Sequence, residues 1–273
     1  MGRYAQLVLG PAGSGKSTYC AQLAEHCEAV RRRVHFVNLD PAAERFAYGV
    51  SLDVRELITV EDVMEECKLG PNGALIYAME FLEEHLHDWF AHEFEDFGDE
   101  DYVVFDCPGQ IELYFHNASF KRFVGFLKSS GWNVCVVYLL DAQFVTDASK
   151  FIAGAMTCLS AMVQLELPHV NVLTKCDLVQ NKRDIAEFLD VDARSVTAHL
   201  AARADSAASS RFARLNAAVG SLLDDYGLVS FFPLDYTDEG ESLGELLAYI
   251  DNSIQYGEDA EVRDQLKAIE DDE

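Results

Sequence analysis

Residues 10–17 read GPAGSGKS, the spacing G-x-x-x-x-G-K-S, placed between a short apolar run and a helical pattern. Gly10, Gly13 and Gly15 let consecutive backbone N–H groups converge on phosphate oxygens, with Pro11, Ala12 and Ser14 between them. The helix N-terminus behind the loop adds partial positive charge. Lys16 is placed to reach the β and γ phosphates and the Ser17 hydroxyl to ligate Mg²⁺, with Thr18 in the same first turn. The chemistry predicted is nucleoside triphosphate binding with Mg²⁺.

Such a site needs a carboxylate at the end of a neighbouring strand to hold the metal's shell. Asp106 ends YVVFD and is followed by CPGQ, which places the Gly109 amide to sense a γ-phosphate and Gln110 to orient an attacking water. Asp40, ending HFVNLD, is a second acidic candidate, for the metal's water shell or the nucleophile; an Asp-Pro turn is the other reading, and both stay open. For the base, TKCD (174–177) follows an apolar run. Asp177 would accept hydrogen bonds from N1–H and the exocyclic amino group of guanine, a pairing adenine cannot make. Lys175 would lay its stem along the base. NKRD (181–184) matches the common N-K-x-D string better but does not follow a strand, so TKCD is preferred. Thr174 stands where that string has Asn, and Phe232 to Asp235 could present further backbone groups to the base.

The elements that must position these residues are legible as alternation. Apolar runs at Ala5 to Leu9, Val34 to Leu39, Tyr102 to Phe105, Val134 to Leu140, Val170 to Leu173 and Val229 to Phe232 are separated mostly by helix-length segments. The runs are apolar throughout, as a sheet covered on both faces requires. The expectation is α/β: a doubly wound, mostly parallel sheet with helical insertions. Helices are predicted over Ser17 to Cys27, Val60 to Lys68, Ala74 to His92, Asp147 to Gln164 and around Phe212 to Asp225, with a loose Ala/Ser/Asp-rich insertion over 186–208. KLGPNGAL (68–75) reads first as a turn, with Asn-Gly suited to positive φ. One domain is expected over 1–257, followed by an acidic tail over 258–273.

A net charge of −26 repels nucleic-acid phosphates and anionic lipid, so no direct nucleic-acid or membrane contact is expected. Seven cysteines without a C-x-x-C pair read as buried free thiols in a reducing compartment, the cytosol or nucleus. His85, His87, Asp88 and His92 read as a solvated polar face, and Arg31 to Arg33 as the end of a helix. Phe81, Leu82, Leu86, Trp89 and Phe90 form a stripe that belongs to the core or an interface.

Taken together, GPAGSGKS, NLDPA, DCPGQIE, TKCD and LGPNG resemble the GPN-loop GTPases, and RYAQLVLGPAGSGKSTYC is similar to one eukaryotic branch of that family. The resemblance spans residues 3 to about 256. It implies a P-loop fold of the dimerising SIMIBI type, shared with signal-recognition-particle GTPases and MinD-like ATPases. It also implies that Gly70, Pro71 and Asn72 reach into a partner's site, with the Asn72 amide near the γ-phosphate and attacking water. Asp40, Gln110 and Glu112 are nominated as water- or metal-positioning residues. The partner implied is a related GPN-loop GTPase or a second copy, and the task implied is assembly and nuclear import of RNA polymerase II, in a cytoplasmic protein shuttling to the nucleus. Two alternatives stand beside it. A small-molecule kinase needs lid arginines, but there is none from Glu56 to Lys121; a GTP-bound scaffold with little turnover would share the same motifs.

Overall fold

β1 (Arg3–Leu9) explains the architecture in miniature. Ala5, Leu7 and Leu9 face one side and Tyr4 and Val8 the other, and all five are buried, so the strand needs cover on both faces. The computed structural model describes residues 3–94, 97, 101–115, 117–146, 148–179, 185, 218, 221, 222, 229–238 and 240–257. Within these, β1 lies at the centre of a seven-stranded sheet of order β3-β2-β4-β1-β5-β6-β7. The other strands are β2 (Val34–Asn38), β3 (Leu52–Asp53), β4 (Tyr102–Asp106), β5 (Trp132–Asp141), β6 (His169–Thr174) and β7 (Phe231–Pro233). Each pairing is parallel, where the sequence predicts a mostly parallel sheet. The added seventh strand, β3, is only two residues long and carries no apolar run of its own.

One face is covered by α3 (Pro71–Glu93) and α5 (Ala118–Ser129), where Leu82, Phe90 and Phe123 meet Leu7, Phe105 and Val136. The other is covered by α1 (Lys16–Ala29) and the C-terminal helix α7 (Glu241–Ile254), where Tyr19, Leu23, Leu246 and Ile250 meet Val8, Val104 and Val137. α2 (Val60–Cys67), α4 (Glu112–Phe115) and α6 (Ala148–Leu165) pack on the α3/α5 side, with Val63, Leu113 and Cys158 in the same core. From β1 the chain passes over β4 to β2, returns to β4 and then continues on the far side of β1. The carboxyl end of β1 is therefore a topological switch point, where ligands of doubly wound sheets bind.

Four expectations change. The Gly-Pro-Asn-Gly stretch is not a separate turn: α3 begins at Pro71, with Gly70 as an extended N-cap at φ −74°. The left-handed residue is Lys68, which ends α2 at φ 56°, and neither Asn72 nor Gly73 adopts positive φ. Proline fits the first helical position because its missing N–H has no partner there anyway. Of the seven cysteines six are buried, but Cys67 is exposed at the end of α2. Arg31 to Arg33 do more than end α1: Arg32 turns inward, bonds Asp251 of α7 at 2.5 and 2.8 Å, and lies over the rings of Tyr102 and Tyr256. His87 and Asp88 are exposed, whereas His85 is half-buried, with Nδ1 2.9 Å from the Phe81 carbonyl. The stripe is core: Leu82, Leu86 and Phe90 are buried, with Phe81 and Trp89 packed against them. The insertion over 186–208, most of the helix expected over 212–225, and the tail over 258–273 lie outside the described residues.

Candidate functional site

The phosphate loop leaves β1 through Gly10, whose φ of 143° suits only glycine, and a Cβ there would meet the Leu139 carbonyl oxygen at 2.4 Å. Gly15 is the left-handed N-cap of α1, so the helix axis starts at Lys16. Lys16 is buried, and its Nζ donates to the carbonyls of Gly10 (3.1 Å) and Pro11 (3.2 Å). Burial lowers its pKa, opposed by the charges of Asp106 and Asp40. Binding a triphosphate would exchange these two carbonyls for phosphate oxygens.

Asp106 is the last residue of β4, almost fully buried. Its Oδ2 accepts from Ser17 Oγ at 3.1 Å and from the Tyr48 hydroxyl at 2.7 Å. Burial raises its pKa, opposed by Tyr48, Lys16 and Ser17. Gly109 follows β4 and packs directly on the loop: a Cβ there would lie 3.2 Å from Ala12 Cα and 3.3 Å from Lys16 Nζ. The Gly109 backbone thus lies beside the Lys16 ammonium. Tyr114 holds this turn by donating to the Pro108 carbonyl.

Asp40 lies two residues beyond β2, and both readings of it find support. Its Oδ1 accepts from the Ala42 N–H at 2.9 Å, as an Asp-Pro turn requires, while it stays close enough to Lys16 for their charges to interact. Burial raises its pKa, offset by the Ala42 bond, Lys16 and Arg55. The residues fixing it escaped the sequence reading. Asn38 accepts from Asp40 N–H at 2.9 Å and donates to Asp53 Oδ1 at 2.8 Å; Asp53 pairs with Arg55 at 2.5 Å; Arg55 donates to the Ala43 carbonyl at 2.9 Å.

At the base end, Thr174 does not face outward. Its hydroxyl is buried and donates to the Ser14 carbonyl at 2.6 Å, tying the end of β6 to the phosphate loop. Lys175, left-handed at φ 61°, crosses the loop to donate to the Gly13 carbonyl at 2.7 Å and pairs with Asp141 Oδ2 at 2.6 Å. Asp141 is a further residue that spacing alone did not reveal. Asp177 sits half-buried in the one-turn 3₁₀ helix Cys176–Leu178, near Tyr236, whose phenol pKa is raised by burial first and then by the Cys20 and Asp177 charges. The segment after β7 docks here, but Leu234 spends its N–H on the Leu173 carbonyl and its C=O on the Cys176 N–H. The competing NKRD string lies outside the described residues.

Glu112 and the Gly70–Asn72 stretch are less deeply placed. Glu112 is exposed at the start of α4, in a cavity of about 290 Å³ that also involves Ile76 and Glu80 of α3. Gly70, Pro71 and Asn72 are exposed.

The residues fit a Mg²⁺-bound triphosphate. Ser17, Asp106 and Asp40 offer hard oxygen donors, and Mg²⁺ takes only one or two carboxylates when phosphates and water supply the rest, so no cluster of three acidic or histidine ligands is needed. Ser14 Oγ, in the loop, and Gln110 Oε1, two residues beyond Pro108, are buried polar atoms without a hydrogen-bond partner among the described residues.

A parallel sheet with a glycine-rich loop and lysine at its switch point, facing a strand-end aspartate, defines a P-loop nucleoside triphosphatase. A family model described as a conserved hypothetical ATP-binding protein matches residues 8–256. The GPN-loop GTPase 3 of Dictyostelium discoideum is 52% identical over 97% of this chain and 91% of its own length. Those of Danio rerio (50%, over 97% and 92%) and Saccharomyces cerevisiae (46%, over 97% and 97%) are similarly close. The crystal structure of an apo GTPase from Pyrococcus abyssi shares the fold, with a TM-score of 0.72 at 24% identity over 92% of this chain and 97% of that one. The chain belongs to the GPN-loop GTPases, enzymes that hydrolyse GTP.

Proposed function

We propose that this chain binds GTP with Mg²⁺, hydrolyses it slowly when alone, and pairs through Gly70, Pro71 and Asn72 with a second GPN-loop subunit, a related one or a copy of itself. The observation that carries the pairing is the placement of Asn72. It is exposed on the first turn of a long, core-anchored helix, beside the exposed apolar side chains of Leu69 (38%), Ile76 (43%) and Tyr77 (41%). Phosphoryl transfer asks a protein mainly for positioning, so an amide supplied across an interface can gate it. In each subunit, Lys16 neutralises the terminal phosphates, the Gly109 amide faces the γ-phosphate and Gln110 orients water. Ser17 and the Asp106 and Asp40 carboxylates would hold Mg²⁺, which would supply neutralisation of the phosphate charge.

The choice of GTP over ATP rests on Asp177, which accepts two guanine donors. Replacing it with Asn is expected to reduce the GTP-over-ATP preference by at least about tenfold, as losing a base-reading polar contact does. Calorimetric titration of both nucleotides against both proteins tests this, and unchanged selectivity would place the base reader elsewhere. The cellular half follows from the family resemblance: a cytoplasmic protein shuttling to the nucleus that works on RNA polymerase II subunits during assembly and import. The charge of −26 supports recognition of protein surfaces over nucleic acid or membrane.

A further inference from the structure

The Asp106 carboxylate poses a local problem. Its Oδ2 is held by two donors, Ser17 Oγ at 3.1 Å and Tyr48 at 2.7 Å, in a site where only 4% of the residue is exposed. A Ser17 hydroxyl that ligates Mg²⁺ does so through a lone pair and keeps its O–H for Asp106, but the metal then dictates where that hydroxyl sits. A buried carboxylate left without donors is costly. The Tyr48 hydroxyl is the donor that need not move.

Tyr48 is well placed for this. Its ring packs on Phe36 of β2 (5.1 Å between centroids) and on Phe46 (5.5 Å). The segment carrying it is clamped by Arg55, which donates to the Ala43 and Glu44 carbonyls and lies 4.7 Å from the Phe46 ring centroid. The same Arg55 pairs with Asp53, the partner of Asn38, which fixes Asp40. Both acidic residues of the site are thus tied into one segment, Asp106 through Tyr48 and Asp40 through Asn38.

We propose that Tyr48 is a positioning residue of the nucleotide site: its hydroxyl fixes the Asp106 carboxylate independently of Ser17, and so sets how much Mg²⁺ the site needs to bind GTP tightly. This rests on the Mg²⁺-GTP reading of the site and deepens it. The role assigned to Tyr48 acts through Asp106.

The test is affinity for a non-hydrolysable GTP analogue, measured across a Mg²⁺ titration and in chelator, for the parent, Tyr48→Phe and Phe46→Leu. Phenylalanine keeps the ring packing and removes only the hydroxyl. The Mg²⁺ concentration for half-maximal tightening should rise about tenfold or more in Tyr48→Phe, the scale of a lost hydrogen bond to a charged group. Its affinity in chelator should stay within about twofold of the parent, because the phosphate loop and base site are untouched. Phe46→Leu, which loosens the same segment but keeps the Tyr48 hydroxyl, should shift the midpoint far less than Tyr48→Phe does. Equal midpoints for Tyr48→Phe and parent overturn the assignment, as does an equal shift in Phe46→Leu, which would mean simple loosening. A parent whose affinity ignores Mg²⁺ overturns the Mg²⁺-GTP reading as well.

Discussion

Asp106 carries the strain between folding and chemistry at the scale of one residue. Its burial disfavours the charged carboxylate that a metal site requires, and Tyr48, Lys16 and Ser17 offset only part of that cost, so its pKa stays raised above the ordinary 3.8. A carboxyl group that holds its proton more tightly folded than unfolded weakens the fold as pH rises through the window between those two pKa values, and the penalty is complete above it. Asp106→Asn should therefore stabilise the nucleotide-free protein at neutral pH, raising Tm by roughly 2–4 °C as about 1 kcal/mol does. It should also abolish Mg²⁺-dependent tightening. Thermal melts between pH 4 and 8 check the sign: the advantage of Asn should shrink toward the acid end, and an advantage that grows there would refute the account. Asp106 was legible in the sequence because a strand end followed by Pro-Gly-Gln is a local pattern. Tyr48, 58 residues away, was not, because only the folded sheet brings the two together.

At the scale of elements, α3 turns Asn72 from a loop residue into part of a rigid lever. Leu75, Met79, Leu82, Leu86 and Phe90 bury one stripe of the helix, so its first turn inherits the order of the core. The Gly-Pro-Asn-Gly string misled because the same four residues suit a turn or a helix start, and Pro71 at the first helical position decides for the helix. β6 makes the second prediction at this scale. His169, at its start, is stacked near Tyr138 with centroids 6.0 Å apart, and burial pushes its pKa down to about 4. A histidine neutral when folded but charged when unfolded costs stability as pH falls from 6.5 toward about 4. Between pH 7 and pH 5 the parent should lose up to about 2 kcal/mol relative to His169→Leu. Urea unfolding of both proteins at the two pH values measures that difference, and a constant gap would show that His169 is not the titrating group.

For the whole molecule, the alternation of apolar runs and helical segments makes the doubly wound sheet readable in the sequence. The cross-chain ties were not readable: Arg32 to Asp251, Lys175 to Asp141, and the Asn38–Asp53–Arg55 network join residues whose types are ordinary and whose partners depend on the fold. The Lys175 and Asn38–Asp53–Arg55 ties lie at the carboxyl rim with the phosphate loop, Asp40 and Asp106, whereas Arg32–Asp251 lies at the opposite rim over Tyr102, the first residue of β4; Asn72 is left exposed at the start of α3. Two copies carrying −26 each repel one another, so a self-pairing needs enough salt to screen that charge, whereas a related partner of lower charge would need less. The central claim is that Asn72 of one subunit completes the site of another. Single-turnover GTP hydrolysis, followed across protein concentration for the parent and Asn72→Ala, each alone and with a related GPN-loop GTPase, tests it directly. The parent's rate constant should rise with concentration or with the partner, while Asn72→Ala binds GTP normally and stays at least about tenfold slower under pairing conditions. Hydrolysis by Asn72→Ala at the parental rate, with the same concentration dependence, would contradict the account.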